Sequence, residues 1–140
     1  MPSKRELILQ QVKSILQAVP GINGRVYRCE GEAIDRDNHP CILLKWSSEQ
    51  EDPVTVLMSE RTLFIEIEIM VRGDEPDRLA DPIACDVHSL LMADHSLNGL
   101  ALDTIFGDAR FEVEGADQTA GKLTHEYKVK FRHSWTDMTV

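Results

Sequence analysis

Arg61-Thr-Leu-Phe-Ile-Glu-Ile-Glu-Ile-Met-Val-Arg72 decides the fold class. Leu63, Ile65, Ile67, Ile69 and Val71 alternate with Phe64, Glu66, Glu68, Met70 and Arg72. A strand sends successive side chains to opposite faces, so this period of two predicts a strand with one buried face. A helix would scatter the same isoleucines around its whole circumference. Gly73-Asp-Glu-Pro-Asp77 stops the strand.

A second alternation runs over residues 123–135. Leu123, Tyr127, Val129, Phe131 and Trp135 share one face, and Lys122, Thr124, Glu126, Lys128, Lys130 and Arg132 share the other. If the two strands pair, Glu66 and Glu68 meet Lys128 and Lys130 across the ladder, at roughly 0.2–1 kcal/mol per pair. Shorter strands are expected at residues 25–29, 41–46 and 109–114, and residues 54–58 are compatible with one more. Residues 47–53 read as a polar stretch and 35–40 as a polar loop, both able to order on docking to a partner.

Two helices complete the pattern. Ser3 with Glu6 reads as a capping box, and Leu7, Ile8, Val12, Ile15, Leu16 and Val19 form an apolar stripe ended by Pro20-Gly21. The first helix is expected over residues 3–19. Leu79, Ile83, Val87, Leu90 and Leu91 set the second over residues 78–93, with Asp77 or Asp81 as cap and Pro82 in its first turn. Consecutive strands interrupted by helices predict an α+β fold: a mixed or antiparallel sheet of about five strands with two helices packed on one face. The 140 residues suit a single domain, 1–140.

Composition narrows the function. The net charge of -9 and the lack of a basic cluster argue against direct nucleic-acid recognition. No apolar run is long enough to span a membrane, and no signal peptide is expected. Cys29, Cys41 and Cys85 are odd in number and widely spaced, which fits reduced thiols; a Cys29–Cys41 bridge across neighbouring strands is geometrically open.

No constellation for chemistry emerges. The five histidines lack the spacing of a helix-borne metal site, and His125 and His133 stand about 26 Å apart along one strand. There is no Cys-x-x-Cys pair, no nucleophile elbow and no phosphate-binding loop. Glu66 and Glu68 are about 6.6 Å apart along the strand, a separation that glycosidase carboxylates also show, but charges on an exposed strand face are ordinary. His88, Asp94 and His95 are the residues left for an enzyme reading. Trp46 and Trp135 are the heaviest aromatics: strand aromatics pack inward as a rule, whereas Trp135, near the C-terminus, is equally placed to anchor a partner.

The order of elements resembles the phage tail terminator family, the minor tail protein U type of long-tailed phages and prophages. The resemblance rests on five stretches. They are the amphipathic helix ending Val19-Pro20-Gly21, Arg61-Thr-Leu-Phe-Ile-Glu-Ile-Glu-Ile, and Asp77-Arg-Leu-Ala-Asp with Val87-His-Ser-Leu-Leu-Met-Ala-Asp. Ser96-Leu-Asn-Gly-Leu-Ala-Leu-Asp-Thr-Ile and the closing Tyr127-Lys-Val-Lys-Phe complete the set. It implies a structural protein without catalysis, cofactor or metal. Copies would assemble as a ring, typically a hexamer, on the end of the tail tube. That ring would stop tube growth and offer a surface to the head–tail connector protein. The implied location is the virion tail, with assembly in the host cytoplasm. Expected partners are a second copy, the tail tube protein and the connector. The resemblance transfers no site residue; Glu66, Glu68, Lys128, Lys130 and Trp135 are interface candidates from the reading of the residues themselves. A neck or tail-completion protein, or another cytoplasmic protein-binding adaptor, is the alternative.

Overall fold

The alternating segment is the centre of the sheet. In the computed structural model, which describes residues 1–28, 39–52, 57–114 and 119–140, β3 spans Met58–Arg72 and pairs on both sides. Before it come α1 (Lys4–Leu16), β1 (Val26–Arg28) and β2 (Cys41–Asp52). After it come α2 (Pro76–Met92), β4 (Asp103–Glu114) and β5 (Ala120–Ser134). The five strands form one sheet in the order β1-β2-β3-β5-β4. Only β1 and β2 run parallel, so the sheet is mixed and the fold is α+β.

Leu63, Ile65, Ile67, Ile69 and Val71 all point to the helix side and are buried. Opposite them on β5 stand Tyr127 and Val129, and on β2 Ile42 and Leu44. α1 contributes Ile8, Leu9, Val12 and Leu16, and α2 contributes Ala80, Ala84, Val87 and Leu91, to the same core. Each fully buried isoleucine of β3 contributes about 1.5–3 kcal/mol by leaving water. At one point the helix comes close enough to demand glycine. A Cβ on Gly121 would sit 2.6 Å from the Cβ of Pro76 and 2.8 Å from Cζ of Phe111.

Several boundaries differ from the sequence reading. α1 ends at Leu16, because Ala18 and Val19 donate to carbonyls three residues back in a tighter turn. Ser3 accepts from the Glu6 amide as expected, but the Glu6 carboxylate serves Arg28 and Gln10 rather than closing the box. α2 starts at Pro76, two residues early, behind Glu75 in a left-handed conformation (φ 52°) with no side-chain cap, so neither Asp77 nor Asp81 caps it. Pro82 therefore lies in the second turn, where the helix runs on without the amide that would reach the Arg78 carbonyl.

The strands are longer than expected. Residues 47–52, read as a polar stretch, continue β2 past a register shift between Trp46 and Ser48. β4 begins at Asp103 rather than residue 109, across a shift between Phe106 and Ala109. β5 stops at Ser134, so Trp135 is outside the strand. Cys29, most of the expected loop 35–40, most of the tentative strand 54–58 and most of the loop after β4 lie outside the described residues.

Candidate functional site

The face of the sheet turned away from the helices carries a net of charges. Register decides its pairings. Glu66 lies opposite Glu126 and Glu68 opposite Thr124, while Lys128 faces Phe64 and Lys130 faces Thr62. The expected ladder of Glu66 and Glu68 with Lys128 and Lys130 is therefore not formed, although the two strands do pair. Glu68 instead receives Lys45 at 3.2 Å and Lys122 at 3.7 Å, with its side chain only 4% exposed. Glu66 pairs with Arg110 of β4 at 3.2 Å, and Arg110 also holds Glu126 at 3.0 Å. The Glu66 and Glu126 carboxylates raise the pKa of the Arg110 guanidinium. Lys128 lies over the Phe64 ring at 5.7 Å, and Arg132 forks onto Glu60. Glu66 and Glu68 thus knit neighbouring strands together, and Lys128 and Lys130 remain exposed.

Neither tryptophan belongs to the core. Trp46 is 39% exposed, with the Arg5 guanidinium 4.7 Å from its ring centre. Trp135 is 51% exposed, in a chain end that folds back on itself: the Ser134 amide donates to Val140, and Lys4 at the start of α1 donates to Met138. Leu57, Met138 and Val140 are exposed too. Because Met58 pairs with Ser134, these apolar side chains gather at one end of the sheet.

β4 forms the outer edge of the sheet next to β5. Its twelve residues leave Ile105, Phe106 and Val113 exposed. On the helix side of this edge, α2 does not cover the sheet fully, and two hollows open there. One, of about 490 Å³, is lined by Asp77, Arg78, Asp81, Phe111 and Leu123. The other, of about 300 Å³, is lined by Asp81, Ala84, Cys85, His88, Ser89 and His125. Asp81 is common to both, so they follow one another along α2.

The floor near His88 is aromatic. Phe106 lies 5.0 Å from the His88 ring, 4.9 Å from His125 and 5.2 Å from Tyr127, centre to centre. His88 Nδ1 is 3.1 Å from the Tyr127 hydroxyl. Burial pushes the Tyr127 phenol well above its ordinary range. His125 Nδ1 is buried without a hydrogen-bond partner among the described residues. Burial, reinforced by His88, lowers the His125 pKa, against a weaker opposing pull from Asp81.

The residues left for an enzyme reading do not converge. His88 is engaged with Tyr127, and His95 Nδ1 lies 3.2 Å from both Asp103 Oδ1 and the Thr104 carbonyl. Asp94 accepts from Ser96 and Asn98 within its own turn, and the Ser96 hydroxyl holds its carboxyl below the usual range. Among the described residues, no group of three or more His, Cys, Asp or Glu side chains is placed to hold a metal ion, and no helix is long and apolar enough to cross a membrane.

No family model matches this sequence, and no curated protein matches it significantly. The geometry, together with the order of elements along the chain, therefore carries the functional argument. Composition did not signal the hollows along α2, because they depend on how far the helix covers the sheet. The one trace in the sequence is Phe106, Phe111 and Val113, apolar residues in a segment otherwise rich in charge.

Proposed function

We propose that this protein is a structural subunit of the phage tail terminator type, which closes into a ring with its own copies and caps the tail tube. The observation that carries this reading is the outer edge of β4, which pairs with no further strand among the described residues and exposes Ile105, Phe106 and Val113. Such edges are ready-made pairing surfaces; this one carries a register shift after Phe106 and the charges Asp108, Arg110 and Glu112, so its exposed apolar side chains rather than the bare backbone carry the argument. A ring is built head to tail, so each subunit needs two different complementary patches. The cluster of Leu57, Trp135, Met138 and Val140 at one end of the sheet is a second patch. Of the residues first singled out, Trp135 keeps an interface role in this reading. Glu66 and Glu68 serve to hold the strands, and Lys128 and Lys130 remain as rim charges.

The tube protein and the head–tail connector are the further partners of this reading, with no turnover and no cofactor. A neck or tail-completion subunit built on the same edge is its nearest alternative. Light scattering after size exclusion, across protein concentration, separates the readings. A mass of about six subunits that reverts to a monomer in Ile105→Lys/Val113→Lys and in Trp135→Ala supports the ring. A strict monomer at every concentration, with tail tube added or not, overturns it.

A further inference from the structure

We propose that the cleft between α2 and β4 is a docking groove for a basic amphipathic helical segment of another polypeptide. This inference does not rest on the ring reading. α2 packs mainly over β5 and β3 and meets β4 at Phe106, which lies 5.0 Å from His88. Beside that contact the described residues leave two hollows open between α2 and the outer strand.

The floor of the groove is apolar: Phe111 and Leu123 at one end and Phe106 at the other, with Val113 61% exposed beyond them. Its wall is acidic. Asp77 and Asp81 stand one turn apart on α2, both exposed, and neither has an ion-pair or hydrogen-bond partner among the described residues. The cation between them, Arg78, is already tied to Glu75 at 2.8 Å. The groove thus offers two carboxylates that lack an ion-pair partner among the described residues, with Arg78 in the same lining, beside a hydrophobic floor. The His125 ring lines the second hollow, and its Nδ1 is buried with no hydrogen-bond partner among the described residues.

These features specify the occupant. Apolar side chains at positions i, i+3/i+4 and i+7 meet the phenylalanine floor, as in other helix-in-groove complexes. Lysine or arginine along one flank answers Asp77 and Asp81. A second copy of this chain is a poor match, since its described helices bury their apolar faces in the core and offer no free amphipathic face to the groove. The groove therefore selects a different, basic chain.

The probe is a fluorescein-labelled fourteen-residue peptide with leucine at helical spacing and lysine elsewhere, compared with its glutamate counterpart. Anisotropy gives the affinity, and amide NMR shifts of the full-length protein give the place. The expected result is saturable binding of the lysine peptide with shifts at Phe111, Leu123 and His125. Asp77→Asn/Asp81→Asn weakens it at least tenfold, and Glu51→Gln, an exposed acid on β2, changes it less than twofold. Both substitutions are at the surface, and unchanged circular dichroism verifies the fold. The proposal is overturned if the lysine peptide does not saturate, if the glutamate peptide binds as well, or if Glu51→Gln weakens binding as much as the groove variant. Shifts at the same residues on raising protein concentration alone would also overturn it, by assigning the groove to a second copy.

Discussion

His88 Nδ1 lies 3.1 Å from the hydroxyl of Tyr127, a hydrogen bond that joins α2 to β5 across the core. Tyr127 is fully buried, and burial keeps its phenol protonated, so the hydroxyl can donate to the imidazole. Tyr127→Phe keeps the ring and removes this bond, leaving a half-buried imidazole nitrogen of His88 unpaired. Urea unfolding is expected to show a loss of about 1–2 kcal/mol. No loss would mean that the helix is held by apolar packing alone.

The neighbouring His125 makes stability depend on pH. Its folded pKa lies below the ordinary 6.5, chiefly through burial. The unfolded chain then binds the proton more readily than the fold does. This contribution to stability is complete above about pH 6.5 and is lost as pH falls into the window below it. The groups facing His125 are His88, which reinforces the shift, and Asp81, which opposes it. The urea midpoint is expected to drop between pH 7.5 and pH 5.5, and to drop less in His125→Phe.

Glu6 acts in a lower window. The Arg28 guanidinium, 2.6 Å away, pulls its carboxyl below its ordinary 4.5 against the opposing effect of burial. Stability from this pair is present above that value and disappears as pH falls through the lowered one. Glu6→Gln is expected to flatten the acid limb below about pH 4.5 and leave the region between pH 5.5 and 7.5 unchanged.

Gly121→Ala places a methyl group against the Pro76 and Phe111 rings, stiff side chains that cannot swing aside as the end of a long chain can. A loss of about 1–3 kcal/mol is expected, the usual cost of overpacking. Hydrogen exchange should show the first turn of α2 opening before the rest.

Glu68→Ala tests the charge net on the other face. The carboxylate is buried while Lys45 and Lys122 reach solvent, so the lysines can turn to water once it is gone. A loss of about 1.5–3 kcal/mol is expected, in the range for hydrogen bonds to charged groups.

How much of this was legible in the sequence depended on where burial was one-sided. The strand at Ile65, Ile67 and Ile69 was legible because one face meets two helices and the other meets charge. Residues 47–52 were not, because beyond Trp46 the apolar alternation ends. There β2 is held by its backbone and by polar links: Arg61 to Glu49 and Thr62 to Asp52. The start of β4 was hidden by the shift between Phe106 and Ala109, which breaks a period of two. The pairing of Glu66 and Glu68 was misread because charge alternation is the same in any even register, and the register is set elsewhere along the strand. The groove along α2 was illegible altogether. It is defined by the space between two elements, and neither element's pattern encodes that space.

The strand order also has a consequence for how the chain comes into being. β3 is flanked by β2 from before it and by β5 from the last stretch of sequence, with α2 and β4 made in between. During synthesis from the N-terminus, the most apolar strand therefore leaves the ribosome with one edge unpaired. It stays so until the final strand follows it out. Over that interval the nascent chain offers an open isoleucine-rich border to any neighbour, and crowded translation of many copies from one message would be the moment of greatest aggregation risk.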